Sequence, residues 1–221
     1  MRICWFAEFR GPTAPDSLAP LLAATPGLDE ALIHTSASTR DPYLDDGPPP
    51  SLALQLYFQD IADLEAALAV NGHLQPIATL PGIVSATQQA MIARPFLVAD
   101  PDFRPPGPPC TYLVAYDGPA DDLNLWLDHY IRSHPPIMAR FPGIRQIEIC
   151  TAIDWIGFLA LPRATHMQRN KVVFDNQAAL TAALNSPVRH EMRADFKLFP
   201  PFRGGNTHYP MHTRAVRAGK G

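Results

Sequence analysis

Apolar and polar positions alternate through this chain in two successive cycles of similar layout. In the first, an apolar run over 2–9 predicts a strand, and Asp16-Ser17 predicts the cap of a short helix over 17–24. Gly27 precedes a strand over 29–36, and the alternation from Leu52 to Phe58 gives another. Asp60 then opens a helix with Ile61, Leu64 and Leu68 on one stripe, Asn71-Gly72 offers a C-terminal cap, and 88–98 closes the cycle as a strand. The second cycle follows suit. It predicts strands over 112–116, 145–152, 169–174 and 196–199, a helix over 122–134 capped by Asp121-Asp122, and a helix over 176–185 capped by Asp175.

The two cycles share residues at one spacing. Pro26-Gly27 returns as Pro142-Gly143, 116 positions on. At the same spacing Phe58, Ala62, Leu64, Ala66, Ala67 and Leu68 return as Phe174, Ala178, Leu180, Ala182, Ala183 and Leu184. Each cycle reads βαββαβ, which predicts an α+β chain of two tandem ferredoxin-like units. Each unit alone would expose a bare apolar sheet face, so two sheets packed face to face are expected to form an intramolecular α+β barrel. The expected divisions are a first unit over 1–100, a Pro-rich linker over 101–109, a second unit over 110–202 and a C-terminal tail over 203–221.

Composition narrows the function classes. No apolar run approaches the length of a membrane span, and Glu8 and Arg10 interrupt the apolar start that a secretory leader would need. Three cysteines in 221 residues indicate no disulfide framework, so a cytoplasmic location is expected. The net charge of −3 and scattered basic residues give no reason to expect nucleic acid. HxH, HxxxE and CxxC spacings are missing from favourable elements, and there is no Gly-rich phosphate loop, so neither metal nor cofactor is expected.

The segment that carries chemistry is the helix before Pro135-Pro136. Leu123, Leu127, Tyr130 and His134 fall on its sheet-facing stripe, and the two prolines are expected to break the helix just beyond His134. A histidine in that place faces a cavity as a general acid/base, or else is a core residue satisfied by a backbone carbonyl. Tyr130-x-x-x-His134-x-Pro136, then Pro142-Gly143 with a strand, then Asn185-Ser186-Pro187, resembles the EthD-like branch of the dimeric α+β barrel superfamily, in a tandem form. The resemblance runs over about 112–200. At the first-cycle position equivalent to His134 stands Leu18, so one active cavity is expected, in the second unit.

Around His134, Cys150 is the candidate second catalytic group, as nucleophile or proton carrier, and His34 is its first-cycle counterpart. Candidate substrate contacts are Tyr130, His34, His166, Arg132, Arg140, His208 and Arg214, the cations suiting a small anionic organic acid. The resemblance implies a cofactor-independent isomerase, or a lactone or ester hydrolase, acting on a ring-cleavage product of aromatic (lignin-type) catabolism. The alternatives are a non-catalytic accessory or ligand-binding protein and a cofactor-free monooxygenase. The chain is expected to be a monomeric pseudo-dimer or a homodimer.

Overall fold

The computed structural model describes residues 2–13, 15–103 and 107–217. Its elements, in chain order, begin with β1 (Arg2–Arg10), α1 (Leu18–Ala23), β2 (Leu28–Ser36), β3 (Leu52–Phe58), α2 (Ile61–Ala67) and β4 (Ser85–Phe96). They continue with β5 (Cys110–Tyr116), α3 (Leu123–Met138), β6 (Ile144–Ala152), β7 (Gln168–Phe174), α4 (Gln177–Leu184), α5 (Pro187–Phe196) and β8 (Asn206–Arg217). Three helices start where a side-chain oxygen takes up a free amide. Asp60 accepts from Ala62 N at 2.9 Å, Asp122 from Leu125 N at 3.0 Å and Asn176 from Ala179 N at 3.0 Å. Asn176 replaces the expected Asp175, whose carboxylate instead grips Arg145 through two bonds of 2.9 and 2.8 Å.

The eight strands close into one antiparallel barrel in the order β1-β3-β2-β8-β5-β7-β6-β4. Two separate sheets facing each other were expected. Instead their edges are bonded together, β2 to β8 and β4 to β6. Closure gives every edge strand a partner, which a pair of stacked sheets cannot do. Gly27 and Gly143 both adopt positive φ, 71° and 72°, in the turns that enter β2 and β6. The register then shifts just after Leu28 in one case and just after Ile144 in the other.

Strand alternation separates two environments. Outward side chains meet the helices in two cores, one around Trp5, Leu18 and Leu64 and one around Trp126, Tyr130 and Leu180. Inward side chains fill the barrel. There Cys4, Phe6, Tyr57, Met91 and Cys150 pack together, and Lys171 and Glu148 pair at 2.9 Å.

Four expectations are corrected. Helix α3 does not break at Pro135-Pro136 but runs to Met138, and Ala139 N beyond its end still donates to Pro135 O at 2.8 Å. A proline inside a helix costs about 3 kcal/mol. Here Trp126, Tyr130, His134 and Met138 are buried on both sides of the prolines, so packing holds the helix together across them. The strand expected at 196–199 lies instead at 206–217, and the intervening residues from Pro187 form α5. The segment expected to be a tail therefore supplies β8, bonded on both sides. Helix α2 ends at Ala67, before Asn71-Gly72. In the linker, 101–103 and 107–109 form neither helix nor strand, and 104–106 fall outside the described residues.

Candidate active site

Helix α3 aims His134 at the sheet, and α5 crosses behind it. His134 Nδ1 lies 2.6 Å from Asp195 Oδ2 on α5, both side chains being buried. Ser133 Oγ donates to the same carboxylate oxygen at 3.3 Å, and His129 Nε2 stands 3.9 Å from the other. The imidazole sits among aromatic rings, its centroid 4.9 Å from Tyr130 and 5.0 Å from Phe199. Burial disfavours the imidazolium more than Asp195 favours it, and His134 is pushed down to about 4. It is therefore neutral at pH 7. Asp195 takes the Nδ1 proton as a hydrogen bond, which leaves the lone pair on Nε2.

His134 borders a cavity of about 300 Å³ between the sheet and the helices. Its walls are mostly aromatic and aliphatic, with Tyr112, Tyr116 and Phe174 from the strands and Met138, Phe141 and Met192 from the helical side. The loop joining β2 to β3, in the first half of the chain, covers one side with Tyr43 and Leu44. Its carboxylates pin it down. Asp41 accepts from Arg189 at 2.8 and 3.1 Å and from the Tyr112 hydroxyl at 2.9 Å, and Asp46 accepts from His208 N at 2.8 Å and lies 3.0 Å from its Nδ1. Replacing Asp41 with alanine strands a buried phenol and a largely buried guanidinium. A stability loss of about 1–3 kcal/mol is expected, and thermal unfolding with and without the change measures it.

The corresponding layer of the first half is filled. Leu18 is 1% exposed there and packs with Trp5, Leu22 and Leu64. The loop joining β6 to β7 returns the favour by inserting Trp155, Leu159 and Leu161 over this half.

The structure brings some expected residues to the cavity and not others. His134 and His208 line it. Tyr130 lies behind it, fully buried, its hydroxyl accepting from Asn170 Nδ2 at 2.6 Å and its ring stacked 5.1 Å from Trp126. Cys150 and His34 point the other way, into the barrel. Cys150 shares a core with Cys4, and His34 Nδ1 meets Thr213 Oγ1 at 3.0 Å while burial and then Lys171 push it down to about 3. The inward direction follows from strand parity, since Ile149 next to Cys150 faces the helices. His166 is held by Asp117 at 2.6 Å, Arg132 by Asp128 at 2.7 Å and Arg140 by Glu191, and none of the three lines the cavity. Arg214 is exposed on β8 beside Ile33 of β2.

Two contributors escaped the sequence reading, Asp195 and the 37–51 loop. Ser186-Pro187 is a helix start, proline suiting the first turn where no donor is needed, and it marks the helix that bears Asp195. For Tyr43 and Asp41 the sequence holds no such signal, because their partners lie 71 to 148 residues away.

No family model matches the chain, and no curated protein matches it. Solved structures do. An anthrone oxidase-like protein superposes with a TM-score of 0.67 at 13% identity, over 99% of this chain and 94% of that one. Two proteins provisionally named monooxygenases give 0.58 at 10% identity (Lactobacillus acidophilus, 99% and 97% covered) and 0.60 at 8% (Fusobacterium nucleatum, 99% and 95%). At these identities the likeness shows the fold alone, a closed eight-stranded α+β barrel. The expected isomerase or hydrolase is corrected by these likenesses, since the three neighbours are named for oxidase or monooxygenase chemistry.

Proposed function

We propose that the chain is a monooxygenase that needs no organic cofactor and acts on a fused-ring aromatic compound with an acidic C–H. The observation that carries this is His134, a neutral base oriented by Asp195 at the wall of an aromatic cavity. An apolar cavity of roughly 150 Å³ accommodates benzene, so one of about 300 Å³ suits two or three fused rings. The names of the structural neighbours support the same chemistry.

The steps balance with dioxygen as co-reactant. His134 Nε2 removes a proton from a CH₂ flanked by aryl rings, leaving a carbanion that the rings delocalise. One electron passes from the carbanion to O₂, and the resulting radical and superoxide join through a new C–O bond. The imidazolium returns its proton to give a hydroperoxide. His134 then takes the second C–H proton, the O–O bond breaks to give the ketone and hydroxide, and the imidazolium protonates the hydroxide to water, which restores the neutral base. Overall, R₂CH₂ and O₂ give R₂C=O and H₂O. The apolar walls exclude bulk water from the carbanion.

The division into two ferredoxin-like units by duplication belongs to the same proposal. Leu28 pairs with Phe58 and Ile144 with Phe174, the same pairing 116 residues apart and beside equivalent bulges. On this reading one chain builds the two-unit barrel by itself, and the first unit supplies the loop that covers the second unit's cavity.

The test is oxygen uptake with 1,8-dihydroxyanthrone in an oxygen electrode, with the quinone product followed by absorbance. One O₂ consumed per quinone formed, well above the uncatalysed rate, is the expected result. Uptake at the background rate discards the proposal.

A further inference from the structure

Along α5, Arg189, Arg193 and Lys197 recur every fourth residue, and all three border the cavity. Their states differ. Arg189 is neutralised by Asp41. Arg193 is exposed and makes no ion pair among the described residues, its guanidinium resting 4.2 Å from the Tyr43 ring. Lys197, exposed at the end of the helix, likewise makes none. Nearby carboxylates are committed elsewhere: Asp195 to His134, Glu191 to Arg140, and Asp46 to His208. The chain carries a net charge of −3, so two unneutralised cations on one rim run against its overall balance. Cations in a last helical turn also favour the helix dipole, but that accounts for their charge and not for their shared place on the cavity edge.

We infer that the cavity selects aromatic carboxylates, with the rings in the apolar interior near His134 and the carboxylate on Arg193 and Lys197 at the rim. This rests on the reading of the cavity as the substrate site. It narrows the substrate to a class, a fused-ring aromatic acid, and it assigns two specificity residues on α5. Tyr43 has a place in the arrangement: its ring lies 4.2 Å from Arg193 Cζ and supports the guanidinium at the mouth, where a fork of donors suits a carboxylate.

The experiment compares 2-naphthoate with 2-naphthamide, a neutral compound of nearly the same shape, by calorimetric titration at low ionic strength. Wild-type protein is expected to bind the acid about tenfold more tightly, the scale of two exposed charge contacts, and raised salt should shrink that preference. In Arg193→Gln/Lys197→Gln the preference should vanish while amide affinity stays as it was, which also shows that the cavity remains formed. Equal affinities in the wild type, a preference that survives the double substitution, or binding of neither compound overturns the inference. His134→Gln separates it from the oxygenase reading. That variant should keep the preference for naphthoate, so a failure of oxygen uptake leaves the rim assignment standing, and a loss of preference leaves the oxygen chemistry standing.

Discussion

Replacing His134 with glutamine lowers oxygen-dependent turnover by at least about 10²-fold, the ordinary contribution of a positioned general base. Glutamine nearly matches the volume but has no lone pair of comparable basicity, so the loss should fall on kcat rather than on KM. Replacing Asp195 with asparagine is expected to cost nearly as much. The carboxylate can only accept, and so it fixes the proton on Nδ1 and the lone pair on Nε2. An amide can donate to Nδ1 instead, which turns the protonated nitrogen toward the cavity. The pH profile carries the sign. The base works when neutral, so kcat/KM in the wild type falls only as the pH drops through about 4, and not near 6.5 as for an exposed imidazole. Since Asp195 is what holds the value up against burial, residual activity in the asparagine variant should keep its acid limb lower still. A wild-type limb at 6.5, or a glutamine variant of full activity, removes His134 from the chemistry.

Much of this arrangement was legible from local pattern. Seven of the strands and the start of α3 followed from alternation and from Asp122, because those signals are local and no distant contact overrides them. His134 was legible as a cavity residue from its stripe with Leu127 and Tyr130. What failed was of another kind. Pro135-Pro136 reads as a stop because a helix loses two donors there, yet the buried side chains on either side decide the outcome. The assignment of Cys150 to the cavity failed on parity. A strand's two faces look alike in sequence when both are buried, and here one meets helices and the other the barrel interior. Asp195 was missed because 187–195 were given no element ahead of a strand expected at 196–199, and the functional partner of a histidine 61 residues away leaves no periodic trace.

The barrel interior sets up the other large effect. Lys171 and Glu148, 5% and 4% exposed, meet at 2.9 Å on neighbouring strands β7 and β6. Lys171 Nζ also donates to Tyr57 Oη at 2.7 Å, and Glu148 accepts from Tyr57 and, at 3.3 Å, from Gln55 on the opposite wall. Taking two charges out of water costs several kcal/mol each, and their attraction roughly repays it, so the pair as a whole adds little net stability. Removing one partner is a different matter. Lys171→Met leaves Glu148 buried with the neutral donors Tyr57 and Gln55 and with Arg2 only at 4.0 Å from its other oxygen, and a loss of about 3–5 kcal/mol is expected in urea unfolding. Lys171→Met/Glu148→Leu should recover part of that loss, because an apolar pair of similar volume pays no desolvation while the Tyr57 and Gln55 donors lose their acceptor. The network's contribution lies in specificity, since its bonds from β6 and β7 to Tyr57 and Gln55 on β3 are satisfied together only when the barrel closes in this register. The double variant should therefore unfold between the single variant and the wild type while exchanging the amides of β3 and β6 faster than the wild type. A single Lys171 variant as stable as wild type, or a double variant no better than the single, would show that the charge pair is not what the interior is built around.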